Sequence, residues 1–250
     1  MFDSAKQKIV RAEHHIGDLE VQFAAFVAER PHRFSIQIDP ATGHLAIGVR
    51  FVKGLPDHFA AIIGDAIHNL RTALDHAVWE LVGIDHGTQD RYLQFPTGDT
   101  RASFEATCNG IKTPSQWVKN ALFATEAFVG GKGMDLYHIS KLDNSDKHIE
   151  ITPVLRATTH PSFHIVRPDG AIHQTIERNT FTPAASGVTV STFMKIPPGF
   201  SLELDDDAQC FPSIFFSHPG GQIASPALPT LRRYSALVVH TLSDFENAVP

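Results

Sequence analysis

The stretch Ile67-His68-Asn69-Leu70-Arg71-Thr72-Ala73-Leu74-Asp75-His76-Ala77-Val78-Trp79 decides how this chain is read. Its apolar residues form one stripe at helical spacing. The stripe continues through Phe59, Ile62, Ile63 and Ala66 on one side and Leu81 on the other. A period of 3.6 kept over so many turns predicts an amphipathic α-helix over about residues 57–82, opened after Pro56 and closed at Gly83. The opposite face is unlike a solvated helix face, which is usually built of Lys and Glu. It carries His68, Asn69, Arg71, Thr72, Asp75, His76 and Trp79.

At about 100° per residue, the positions on this face can be ordered. Arg71 and Asp75 are four apart and can pair, as can Thr72 and His76. Arg71 and His76 are five apart, so they point about 140° away from each other. A site that uses both needs a second surface: another protomer, the Asp146-Lys147-His148 segment, or a sheet. Trp79 on the polar face predicts the same kind of cover.

Outward from this helix, Ile9, Ile16, Leu19, Phe23 and Val27 predict a long helix over 3–28, ended at Arg30-Pro31. Arg33–Asp39 and His44–Val52 predict two strands joined as a hairpin by Asp39-Pro40-Ala41-Thr42-Gly43. Residues 86–98 read as loop, and shorter helical patterns follow at 100–108, 114–128 and 134–142. Gly130-Gly131-Lys132-Gly133 is a break without P-loop spacing. From about residue 149 the chain turns to short β-branched and aromatic runs punctuated by Pro168-Asp169-Gly170, Pro197-Pro198-Gly199 and Pro219-Gly220-Gly221, the pattern of an antiparallel sheet. A final helix covers about 227–247. The expected fold is α+β: a helical region over 1–148 with a small hairpin inserted at 33–52, then antiparallel strands and a last helix over 149–250.

Composition narrows the function classes. A hydrophobic share of 42% with 19% charged residues fits a globular protein with a real core. A net charge of −6 argues against broad, non-specific nucleic-acid binding and leaves room for a narrow pocket that holds one phosphate. The two cysteines, Cys108 and Cys210, form neither a CxxC pair nor a disulfide framework, and the first residues lack the apolar core of a signal peptide. With no apolar run near bilayer length, the expectation is a cytoplasmic protein without membrane contact.

The polar face has a definite chemical logic. A neutral His takes a proton from a hydroxyl near pH 7. Arg holds a phosphate through two parallel hydrogen bonds and offsets the charge that builds during transfer. Together they suit attack of a ribose 2′-hydroxyl on the adjacent phosphate, with no cofactor.

Arg71-Thr72-Ala73-Leu74-Asp75-His76 resembles the R-x(4–6)-H motif of the HEPN superfamily. That resemblance implies a helical bundle, commonly a homodimer, with metal-independent ribonuclease activity. Arg71 and His76 would be its catalytic pair. Gly64-Asp65, His68-Asn69-Leu70-Arg71, Ala73-Leu74-Asp75-His76 and the later Asp146-Lys147-His148 also resemble a group of bacterial proteins without an assigned activity.

The leading expectation is thus cleavage or binding of RNA or a nucleotide, with His76 as base and Arg71 as phosphate clamp. His68, Asn69, Asp75, Asp146, Lys147 and His148 would support them. Leu142-Asp143-Asn144-Ser145-Asp146-Lys147-His148 also has a plain reading as a helix end and turn. Two other functions remain open. One is a non-catalytic binding or interaction module in which Arg71, Asp75 and His76 knit a polar network. The other is a metal-dependent hydrolase drawing on His15, His68, His76, His138 and His148, although no HExxH spacing is present. Asp205-Asp206-Asp207 lacks the EF-hand pattern and reads as a turn.

Overall fold

The computed structural model describes residues 1–38, 44–148, 152–160, 163–176, 188–195, 197, 199–204, 209–218 and 221–250. The fold is α+β, with helices first, antiparallel strands later and a final helix. The chain divides into two compact units that are interleaved in sequence. One comprises Met1–Val21, Asp57–Thr152 and Ser217–Pro250, the other Gln22–Pro56 and Pro153–Phe216.

The first unit is helical. It holds most of α1 (Asp3–Ala28), then α2 (His58–Ile84), α3 (Arg101–Gly110), α4 (Gln116–Ala124), α5 (Met134–His148) and α6 (Ala227–Ala248). α2 is the helix foreseen at 57–82, and it packs against α5 and α6. Its stripe of Ile63, Ile67, Leu70, Leu74, Val78 and Leu81 is fully buried. Each such side chain contributes about 1.5–3 kcal/mol relative to exposure. Leu231, Tyr234 and Val238 of α6 and Ala12, Ile16 and Leu19 of α1 are equally buried in this unit. The N-terminus is tied in by Phe2, whose N–H donates to Glu80 Oε1 at 2.7 Å and whose ring lies 6.5 Å from that of Phe245.

The end of α2 differs from the sequence reading. Gly83 does not close the helix; it lies within it, and His86, at φ 54°, takes the left-handed position beyond. Gly83 is needed for space instead. A Cβ there would stand 2.9 Å from Cδ of Gln89, whose Nε2 donates to the Trp79 carbonyl at 2.7 Å.

Asp85 then anchors the next stretch of the unit. Its buried carboxylate accepts from the Thr113 hydroxyl, from Ser115 N–H at 2.8 Å and from Trp117 Nε1 at 3.1 Å. Burial opposes the charged form, but the hydrogen bonds from Ser115, Thr113 and Trp117 outweigh it and hold this carboxyl below the usual carboxylate range. A depressed folded value stabilises the native state above the unfolded carboxyl value of about 3.9, and that stabilisation is lost as pH falls through the lower folded value. Asp85→Asn is therefore expected to lower the melting temperature at pH 7, with the gap from wild type closing below about pH 4. Melting curves across pH 7 to 2 check this, and a gap independent of pH would contradict it.

α5 is longer than its sequence pattern. Asp143 to His148 continue the helix rather than forming a turn. Tertiary pairing overrides the local preference of Asp, Asn and Ser for turns: Asp143 is only 2% exposed and meets His68 of α2.

The second unit is built of strands. β1 (His32–Ile38) and β2 (His44–Phe51) form the expected antiparallel hairpin, with Ile36 opposite Ile47. The turn at 39–43 lies outside the described residues. The hairpin is not a free-standing insertion, because β2 also pairs antiparallel with β6 (Val188–Lys195), with Ala46 opposite Thr192. β4 (Phe163–Val166) pairs antiparallel with both β5 (Ile172–Ile176) and β7 (Ser201–Leu204). β3 (Thr152–His160) neighbours β8 (Gln209–His218). β9 (Gly221–Pro226), which the sequence pattern did not single out, belongs to the first unit and leads into α6. Asp205-Asp206-Asp207 lies outside the described residues. Among the described residues, no helix is long and apolar enough to cross a membrane.

Candidate functional site

The polar face of α2 carries two adjoining clefts, both within the helical unit. The first, of about 490 Å³, is lined by Arg71 and Asp75 of α2, by residues of the 88–97 segment, by Lys112, and by Ser140, Asp143 and Asn144 of α5. The second, of about 710 Å³, is lined by Ser4, His76, Trp79, Glu80, Gly83, Ile84 and Gln89. Asp75 and Leu93 line both, so they form the ridge between them. The angular separation of Arg71 and His76 is thus realised literally, with one residue in each cleft.

Arg71 is buried, at 8% exposure. Its Nη2 lies 3.0 Å from Asp75 Oδ1 and donates to the Phe95 carbonyl at 3.2 Å. Phe95 N–H in turn donates to Asp75 Oδ1 at 2.8 Å, and its ring centroid lies 5.9 Å from the guanidinium carbon. Arg71, Asp75 and both backbone groups of Phe95 therefore close a ring that clamps the 86–98 segment onto α2. The Nη1 of Arg71 stands outside that ring, buried and with no hydrogen-bond partner among the described residues. Burial pushes the guanidinium below the usual arginine range, while Asp75 and Asp143 act in the opposite direction. A buried donor without an acceptor costs about 1–3 kcal/mol.

His76 sits in the second cleft with its Nδ1 2.7 Å from the Ser4 hydroxyl, a contact between α2 and the start of α1. Trp79 lines the same cleft and is 40% exposed. His68 lies on the other side of Arg71. Its Nδ1 is 2.8 Å from Asp143 Oδ1, with the imidazole 50% exposed and the carboxylate 3% exposed.

The remaining expected residues are dispersed. Asn69 donates to the Asp65 carbonyl one turn back at 2.8 Å, so its amide serves its own helix. Thr72 likewise bonds the His68 carbonyl at 2.8 Å. Asp146 lies against the start of α2, where a Cβ on Gly64 would stand 2.8 Å from its Cγ. Lys147 and His148 end α5, and their side chains lie outside the described residues.

Three partners were not anticipated: Asp143, Phe95 and Ser4. Asp143 had a signal, as an acidic residue in a polar run beginning an expected turn. Phe95 contributes through its backbone and Ser4 from a distant part of the chain, and neither carries a sequence mark.

Among the described residues, no three His, Cys, Asp or Glu side chains gather as a metal-binding set. His138 Nδ1 lies 3.7 Å from Asp135 Oδ1. Burial pushes the Cys108 thiol up to about 12, which keeps it protonated and a poor nucleophile. Comparison with protein-family models, with curated proteins and with solved structures finds no match to this chain.

Proposed function

We propose that the polar face of α2 binds RNA and cleaves it without a metal ion, by attack of a ribose 2′-hydroxyl on the adjacent phosphate. The observation that carries this reading is the Nη1 of Arg71, a buried donor with no acceptor in a helix face that also presents His76. A phosphate oxygen is the acceptor that a guanidinium held on one edge by Asp75 and Phe95 would take on the other. His76 supplies the base. The tautomer that gives its Nδ1 proton to Ser4 leaves a lone pair on Nε2 to receive the 2′-hydroxyl proton. Trp79, exposed in the same cleft, offers a ring face on which a base stacks, worth about 1–3 kcal/mol. The net charge of −6 fits a short or narrow substrate better than bulk RNA. A homodimer in the cytoplasm is the assembly this reading expects.

The test uses purified protein and mixed-sequence single-stranded RNA in EDTA, beside Arg71→Met and His76→Gln. Wild type is expected to yield 2′,3′-cyclic phosphate ends, and each substitution to slow cleavage by about 10²–10⁴-fold. Cleavage that survives both substitutions unchanged overturns the assignment.

A second reading has its own observation. The closed ring of Arg71, Asp75 and Phe95 is what a structural network needs, since it pairs the Nη2 group of a guanidinium with a carboxylate and with both polar groups of a loop residue. On that reading the chain is a binding or interaction module, and the same substitutions cost folding stability while no RNA is cut by any form.

A further inference from the structure

We infer that His68 and Asp143 form a second proton-transfer pair on α2, which protonates the departing 5′-oxygen of the RNA strand. The inference rests on the cleavage reading above and completes its proton balance. In that reaction the 2′-oxygen forms a bond to phosphorus while the bond from phosphorus to the 5′-oxygen breaks. His76 takes the 2′-hydroxyl proton, and the 5′-oxygen must receive another. Arg71 cannot give one, because a guanidinium holds its protons throughout the ordinary pH range. No oxidant, reductant or further reactant is involved, and the products are a 2′,3′-cyclic phosphate and a 5′-hydroxyl.

The geometry of His68 suits the missing role. Its Nδ1 is held at 2.8 Å by a carboxylate that is 3% exposed, while the ring itself is 50% exposed. A buried carboxylate behind an imidazole sets which nitrogen carries the fixed proton and balances the charge present when the outer nitrogen is protonated too. Here the outer nitrogen is Nε2. It has the Thr72 hydroxyl at 3.5 Å, and that hydroxyl already gives its proton to the His68 carbonyl at 2.8 Å. Thr72 therefore does not donate to Nε2, which can carry the proton that a leaving oxygen needs. A partner whose only task was to neutralise Asp143 would be expected to be hidden along with it.

Placement agrees with the chemistry. Displacement at phosphorus proceeds with the entering and leaving oxygens roughly in line, on opposite sides of the phosphate. His68 precedes Arg71 by three residues and His76 follows it by five. Along the helix axis the backbone positions of the two histidines are thus set about 4.5 Å and 7.5 Å to opposite sides of Arg71. Asp143 also lines the cleft that Arg71 lines, so the carboxylate of the pair borders the clamp. Asp143 is then a positioning residue, and His68 the group that meets the substrate.

The experiment removes the need for the acid. Oligonucleotides with a single ribonucleotide are made in two forms, with oxygen or with sulfur at the bridging 5′ position, for each of the four bases. A thiolate leaves without being protonated. His68→Gln is expected to slow the oxygen form by about 100-fold or more and the sulfur form by less than about 10-fold. Asp143→Asn should show the same selectivity, and His76→Gln should slow both forms alike. Near-normal cleavage of the sulfur form also shows that the His68 and Asp143 variants are folded. If His68→Gln slows both forms equally, or neither, while His76→Gln abolishes cleavage, the inference falls and the cleavage reading stands. If wild type cleaves neither form, the cleavage reading falls and takes the inference with it.

Discussion

Asp75→Ala is expected to destabilise the helical unit by about 3 kcal/mol, with a fall in melting temperature on the order of 10 °C. The Asp75 carboxylate accepts from Arg71 and from Phe95 N–H through the same oxygen. Its removal leaves a guanidinium that is only 9% exposed without the carboxylate that pairs with it, together with a backbone donor that has lost its acceptor. Breaking one side of a buried pair is costly for that reason, whereas replacing both partners by apolar groups of similar volume often is not. The double variant Arg71→Met, Asp75→Leu is accordingly expected to recover most of the loss. Urea or thermal unfolding of the two single variants and the double variant measures the coupling. A single Asp75→Ala variant within about 0.5 kcal/mol of wild type would show that the clamp does not stabilise the fold.

Phe95→Ala is expected to cost about 3–4 kcal/mol. The side chain is 2% exposed, so its deletion loses the transfer energy of the ring and leaves a cavity. It also anchors the residue whose N–H and carbonyl close the ring with Asp75 and Arg71, so the 86–98 segment should loosen from α2. Limited proteolysis is expected to cut this segment faster than in wild type. Tyr92→Ala is the control: Tyr92 lies on the same segment but is 73% exposed, and its loss should stay within about 0.5 kcal/mol. Equal effects of the two substitutions would contradict the clamp. The two experiments also bear on function. A network that only stabilises predicts that activity, if any, tracks folding. A site predicts that Arg71→Met loses cleavage at temperatures where the protein is still folded.

The sequence carried α1, α2 and α6 clearly, because each keeps an apolar stripe over many turns, and periodicity is a local property. It also carried the unusual face of α2, since Arg71, Asp75, His68 and His76 stand out from the Lys and Glu of a solvated helix. It did not carry the division of the chain. The hairpin at β1 and β2 is completed by β6, and α6 groups with the early helices, so no single cut along the sequence separates the two units. Strand partners and helix neighbours distant in sequence leave no periodic trace. Asp143 illustrates the same limit from the other side. Asp-Asn-Ser prefers turns, yet that carboxylate is buried in a continuing helix, where it meets the imidazole of His68 from a distant part of the chain.

What the sequence by itself determined is which residues share the polar face of α2 and in what angular order, because the helix repeat alone sets that order. It also established that Arg71 and His76 diverge and so require a second surface. Only the tertiary structure decided what that surface is. For Arg71 the 88–97 segment and Asp143 supply it, while Ser4 meets His76. The physical reason is that each of these contacts satisfies a buried or half-buried polar group through a partner far away along the chain. Such a partner is selected by packing and hydrogen-bond geometry, on which local spacing is silent.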